Sequence, residues 1–172
     1  MEINDLIKLI IPPNNRENRD GFSNIHYLNK LTLEEKEKVE DVLINEIKIT
    51  DKKRIDDLMV DTLGFLRTEK ALPLLRDLLD SDVYEDLKIP IITAIYLISN
   101  DKEMIDKVID QVKKIEKIKD QYSTFRLIDT FYYLIKFNEY RTRKFINEYT
   151  DNSDYLVSYN ARNALSMADF GQ

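Results

Sequence analysis

Apolar residues recur three and four positions apart along most of this chain, and the whole pattern then repeats. Ile55, Leu58, Met59, Thr62, Leu63 and Leu66 fall at i, i+3, i+4, i+7, i+8 and i+11, one broad apolar face of a helix. Thr68 then offers a cap oxygen, and Ala71, Leu72, Leu74, Leu75, Leu78 and Leu79 begin a second amphipathic helix. Pro73 falls in its first turn, where a missing amide hydrogen costs little, and Asp80-Ser81-Asp82 closes the unit. Leu87, Ile91, Ala94, Ile95 and Ile98 repeat the first face, Asn100-Asp101 the turn, and Met104, Ile105, Val108, Ile109, Val112 and Ile115 the second. Residue identities mark a third copy: Tyr96-Leu97-Ile98 matches Tyr133-Leu134-Ile135, and Lys107 and Ile109 match Lys144 and Ile146, at an offset of 37 residues. Tyr155-Leu156-Val157, Ala161, Ala164 and Leu165 begin a fourth. With Leu63, Ile95, Tyr132 and Leu165 taken as equivalent, the spacings are 32, 37 and 33. Two helices per period of this length are the pattern of an α-solenoid, in which each pair buries its face on the next. An irregular helical bundle with coincidental spacing is the competing reading.

Residues 1–31 read differently. A short helix from Asp5 to Ile10 precedes Pro12-Pro13-Asn14-Asn15-Arg16-Glu17-Asn18-Arg19-Asp20-Gly21, a polar, breaker-rich stretch expected to be a long loop. Thr32 with Glu35 three residues later is a capping box that opens a helix through Ile47. The expected fold is all-α: about four antiparallel helix pairs in one domain over residues 1–172, with an irregular N-terminal cap (1–31) ahead of the repeats (32–170). The whole chain holds only three glycines and four prolines, which suits long helices and short turns.

Cysteine is absent, so nothing points to disulfides or thiol chemistry, and the opening residues lack a basic leader and a cleavage site. No stretch approaches the roughly 20 apolar residues of a membrane span. A soluble, cytoplasmic protein is expected. The 21 isoleucines, 17 lysines, 13 asparagines and 10 tyrosines point to an AT-rich gene. The net charge of −6 is uneven: residues 1–100 carry −6, residues 101–150 carry +2 and residues 151–172 carry −2. An acidic protein repels phosphate backbones, which disfavours nucleic acid, and attracts basic partners. An ordinary soluble surface accounts for the same charge.

The chemistry-bearing residues are sparse. His26 is the only histidine, and without cysteine it cannot build a metal site; a partly buried helix or loop residue is the simpler reading. No phosphate-binding glycine loop, nucleophile elbow or paired-histidine zinc motif occurs. Asp56-Asp57, Glu34-Glu35 and Glu85-Asp86 are neighbours that point about 100° apart on a helix, so solvated charge explains them better than paired acid–base work. Lys113, Lys114, Lys117 and Lys119 lie near a helix end and complement its dipole. Neither catalysis nor a cofactor or metal is expected.

Thr62-Leu63-Gly64-Phe65-Leu66-Arg67-Thr68-Glu69-Lys70-Ala71-Leu72-Pro73-Leu74-Leu75 resembles a HEAT-repeat junction: a small residue, Leu-Gly, a polar turn, then Ala-Leu-Pro-x-Leu. The resemblance runs from about Thr32 to Leu165. Only Gly64 stands as the junction glycine, with Tyr96 and Tyr132 or Tyr133 in the equivalent places, which implies less regular packing there. Catalytic HEAT-like families are excluded by content: the iron-dependent hydroxylases need repeated histidines, and the alkylpurine glycosylases need tryptophan and a basic face. In kind, though by no matched motif, the chain is similar to bacterial immunity proteins of contact-dependent inhibition and polymorphic toxin systems. That resemblance implies an inhibitor that covers the basic active surface of a cognate toxin domain, often a nuclease. A HEAT-type adaptor or scaffold is the alternative.

Two features stand out as candidate contacts. One is Asp77, Asp80, Asp82, Glu85 and Asp86 around Tyr84 at an inter-helix turn, where carboxylates steer basic partners and tyrosine supplies contact area. Helix-capping aspartates in a solvated turn explain the same run. The other is Tyr122, Tyr132, Tyr133, Tyr140, Tyr149, Tyr155 and Tyr159, of which two are expected to be exposed contacts. If the function is binding alone, His26→Ala leaves biological activity intact; loss of activity in a folded variant would restore an enzymatic reading.

Overall fold

The computed structural model describes residues 3–12 and 24–170. Over that span the chain is helical, with no strand among the described residues. Its α-helices are α1 (Ile3–Ile10), α2 (Leu33–Ile49), α3 (Asp57–Leu66), α4 (Leu72–Leu79), α5 (Glu85–Ser99), α6 (Glu103–Ile115), α7 (Ser123–Leu134), α8 (Tyr140–Asn147) and α9 (Tyr155–Phe170). Single 3-10 turns stand at Ile25–Lys30, Glu69–Ala71 and Ile135–Phe137. From Pro13 onward the expected N-terminal loop lies outside the described residues. No described helix is long and apolar enough to cross a membrane.

Local chemistry sets the helix ends. The Thr32 box forms: Thr32 Oγ1 accepts from the Glu35 N–H at 3.3 Å, and the Thr32 N–H donates to the Glu35 carboxylate at 2.8 Å. The helix it opens runs to Ile49, two residues past the expected end. Asp56 caps α3 by accepting from the Leu58 N–H at 3.0 Å, and Pro73 sits in the first turn of α4. Thr68 does not cap. The 3-10 turn Glu69–Ala71 separates it from α4, and its hydroxyl instead donates to the buried carboxylate of Glu40 on α2.

Gly64 does not make a turn either. It lies within α3, where a Cβ would come 2.9 Å from the Ala94 Cα, so its missing side chain lets α3 lie directly on α5. The turns use left-handed residues. Arg67 after α3, Asn100 after α5 and Asn138 after the 3-10 turn that prolongs α7 all have φ between 50° and 54°. They are 33 and 38 residues apart, close to the spacings read from the apolar pattern.

Packing centres on α5. Every residue from Ile89 to Tyr96 is buried, and α3, α4, α6 and α7 all lie against it. Beyond this layer α2 packs on α3, α8 on α6, and α9 on both α7 and α8. One continuous cluster of buried side chains extends from Leu6 in α1 to Ala164 in α9. Leu63, Leu75 and Ile95 are fully buried as their repeat positions require. Ile109 is only half-buried. The inward face of α6 runs through Met104, Val108, Val112 and Ile115, and Ile109 lies at its edge, whereas its repeat counterpart Ile146 is fully enclosed.

Leu63→Ala, Leu75→Ala and Ile95→Ala should each destabilise by about 2–5 kcal/mol, and Ile109→Ala by about 1 kcal/mol. Gly64→Ala should cost about 1–3 kcal/mol, because the added methyl pushes α3 off α5. Chemical denaturation with unchanged m-values measures all five; equal losses at Ile109 and Leu63 would contradict this helix phase.

Candidate functional site

The acidic turn divides between two surroundings. Asp77 at the end of α4 lies 3.8 Å from the Lys52 ammonium, and Asp82 in the turn lies 3.2 Å from that of Lys53. Asp80 is the α4 C-cap and has no ion pair. Glu85 turns inward: it accepts from the Gln111 side chain of α6 at 2.6 Å and pairs with Lys88 at 3.0 Å. Those hydrogen bonds and the Lys88 charge hold its carboxyl below the usual range, against a modest effect of burial. Tyr84, 61% exposed, and Asp86 instead line a groove.

That groove is a cavity of about 620 Å³ between the segment leading into α3, the first half of α5, and α7. Its apolar lining comes from Leu87, Ile89 and Pro90 of α5 and Ile115 of α6. Pro90, within α5, brings no N–H to the carbonyl of Asp86 one turn earlier. Polar groups reach the groove on helical spacing. Asp57 lines it from α3 and Arg126, Asp129 and Tyr133 from one stripe of α7, while Asp61, four residues along α3, and Lys136, in the 3-10 turn after α7, lie outside the lining. Tyr133 Oη donates to Asp61 at 3.1 Å, and the Lys136 ammonium lies 3.5 Å from the same carboxylate oxygen and 4.2 Å above the Tyr133 ring. These contacts tie α3 to α7 across α5.

Electrostatics separate the groove from the turn. Burial pushes the Asp57 carboxyl up to about 6; the hydrogen bond that its protonated form donates to Asp56, then the charges of Asp56 and Asp61, act the same way. Asp61 is raised by burial despite opposing contributions from Lys136 and Tyr133. Asp129 is raised by burial and by Asp86, and it has neither a hydrogen bond nor an ion pair in the structure. Burial and the Asp61 charge drive the Tyr133 phenol upward as well. Asp56-Asp57 is solvent-accessible, as expected from adjacency, but its two carboxyls also share a hydrogen bond. Asp57 remains open to solvent, but protein on several sides removes much of its hydration. The adjacent pairs were the wrong place to look. The usable signal was the four-residue spacing of Asp57–Asp61 and Asp129–Tyr133.

The other candidates also separate. Tyr132 is held by Asn160 at 2.7 Å and Tyr149 by Glu116 at 2.7 Å, both set into the packing. Tyr122, Tyr140, Tyr155 and Tyr159 are exposed, four rather than two: Tyr122 and Tyr140 stand at the starts of α7 and α8, and Tyr155 and Tyr159 lie on the outer face of α9, the last described helix. His26 is exposed in the first 3-10 turn, its ring 4.4 Å from that of Tyr27. Among the described residues no cluster of histidine, aspartate and glutamate could hold a metal ion.

The groove chemistry fixes a sign for stability. Asp57 titrates near 6 in the folded chain against a usual 3.8, so the folded state holds the extra proton between those values. Stability conferred by that proton is present at low pH and is lost as pH rises through about 6. Asp57→Asn should thus be near neutral at pH 4 and stabilising at pH 7 by on the order of 1 kcal/mol, allowing for solvent screening of a partly open carboxylate. Denaturant melts at the two pH values decide it; a pH-independent difference would contradict the assignment.

No protein-family model matches the chain, and no curated protein or solved structure is detectably similar to it.

Proposed function

We infer that this chain is a HEAT-like stack of helix pairs that binds a basic surface of another protein. The finer reading is inhibition in a bacterial cytoplasm: an immunity protein that neutralises a cognate toxin domain, a nuclease, by covering its basic active surface. The observation that carries the binding reading is the acidic groove beside the acidic turn. Asp57 and Asp129 are partly stripped of water without a cation of their own, and Tyr84 and Asp86 connect the groove to Asp80 and Asp82. The side-by-side packing of α3, α5, α7 and α9 and the recurring left-handed residues support the repeat architecture. A nuclease must be basic where it grips phosphate, so an inhibitor over that surface needs acidic groups in relief. The adaptor reading draws on a different observation, the exposed aromatic face of Tyr155, Leu156 and Tyr159 on α9, which would serve as a second contact surface.

The test is binding to the polypeptide encoded immediately upstream, followed kinetically at several salt concentrations. Rim carboxylates act chiefly on encounter, so Asp80→Asn, Asp82→Asn and Asp86→Asn together should slow association about tenfold at low salt and flatten its salt dependence. Glu85 is left in place because it anchors Gln111. Tyr84→Ala should speed dissociation by tenfold or more if its ring is a desolvated anchor. Unchanged association in the triple variant would move the interface off this surface, and an upstream partner that is not bound would remove the inhibitor reading.

A further inference from the structure

We propose that the groove between α3, α5 and α7 seats one cationic side chain, an arginine or lysine projecting from the partner protein, against Asp57 and Asp129. This rests on the protein-binding reading above and names the group that the groove receives. Three features of the cavity specify it.

The first is that neither carboxylate has an ion pair among the described residues; both are open to solvent, and Asp57 accepts only from the Leu58 N–H at 3.0 Å and shares a hydrogen bond with Asp56. Arg126 binds Asp120 through both terminal nitrogens, at 2.9 and 2.7 Å, and Asp86 through Nε at 2.9 Å. Lys53 pairs with Asp82 and Lys136 with Asp61. Arg54 also lines the cavity, without an ion pair among the described residues, so a guest shares the groove with one resident guanidinium. The second feature is the wall material. Leu87, Ile89 and Pro90 offer apolar surface to the methylene stem of a long cationic side chain, and the exposed Tyr84 ring stands at the edge. The third is size: about 620 Å³ lies within the range of binding pockets and leaves room for neighbouring backbone or water around one side chain.

Charge state gives the proposal a second consequence. The groups facing the site are Lys53, Arg54, Asp56 and Asp57 at and before the start of α3, Tyr84 and Asp86 at the start of α5, and Arg126, Asp129 and Tyr133 of α7, with Asp61 acting on Asp57 through its charge; Ile115 of α6 is apolar. Desolvation first, then neighbouring carboxylates (Asp56 and Asp61 for Asp57, Asp86 for Asp129), hold both groups above ordinary carboxylates in the free protein. A bound cation favours their ionised forms, so binding expels protons. Affinity should therefore tighten as pH rises from 5 to 7.

The experiment uses the full chain and three capped tripeptides, acetyl-Gly-Arg-Gly-amide, its lysine analogue and its neutral citrulline analogue, in a heteronuclear NMR titration. The arginine or lysine peptide should give saturable shifts centred on Asp57, Asp129 and Tyr133, at millimolar affinity, and the citrulline peptide should not. Asp129→Asn and Asp57→Asn should each weaken binding threefold or more, and the wild-type affinity should rise at least threefold between pH 5 and 7. Spectra of the free variants establish that they remain folded. Equal binding of the citrulline peptide, absence of saturable groove shifts, or shifts confined to Asp77, Asp80 and Asp82 would overturn the proposal. The two readings fail separately. A groove that takes the arginine peptide while the upstream-encoded polypeptide does not bind removes the inhibitor reading alone. A polypeptide that binds equally well to wild type, Asp57→Asn and Asp129→Asn removes the cation seat alone.

Discussion

Helix α5 has no face that can be left in water. Eight consecutive residues, Ile89 to Tyr96, are buried, so the chain must wrap this helix on every side. The other helices are placed by that requirement. Gly64 lets α3 approach to backbone contact at Ala94, α4 and α6 cover two further sides, and α7 closes the remaining one. The enclosure is tight enough to strand one polar atom, the Thr93 hydroxyl, which has no partner although the residue is 1% exposed. Such an orphan costs on the order of 1–3 kcal/mol. The apolar contacts around α5 must outweigh it.

The same constraint creates the groove. Only the start of α5 is polar, at Glu85 and Asp86, and there it no longer demands complete cover. The beginnings of α3 and α7 stand on either side of it and leave a cavity between them. One turn along α3 from Asp57, the helices are tied across α5 by Asp61, Tyr133 and Lys136. Breaking this bridge leaves a nearly buried carboxylate uncompensated, a far costlier event than loss of the exposed Lys52–Asp77 or Lys53–Asp82 contacts. The groove is thus held by a desolvated polar tie at one position and lined by unpaired acids beside it.

Most of the fold was legible because it follows from period and capping. Leu63, Leu75 and Ile95 fall where the 3.6-residue period places them, and Thr32 and Glu35 form their reciprocal box from local chemistry alone. Legibility ended where a residue's partner lies far off in the chain. Thr68 carries every mark of a cap, yet Glu40, 28 residues earlier, takes its hydroxyl. Ile109 satisfies the apolar pattern but lies at the edge of its helix face, a distinction set by where α5 and α8 sit. The candidate site was only half legible. The acidic turn is visible as a run of letters, and it supplies the groove's rim through Tyr84 and Asp86. Asp61 and Tyr133 are 72 residues apart, and no local pattern announces that they meet.

Asp57 and Asp129 could be asparagine, or apolar, with no loss to the core, because neither belongs to the apolar packing. In the free protein both are held where ionisation is disfavoured, and Asp129 gains no contact in return. The turn behaves oppositely. Asp77, Asp82 and Asp86 each have a lysine or arginine at hand. The acids of this surface therefore differ in pairing and hydration: those of the turn stand beside cations, whereas Asp57 and Asp129 stand in the groove without an ion pair among the described residues.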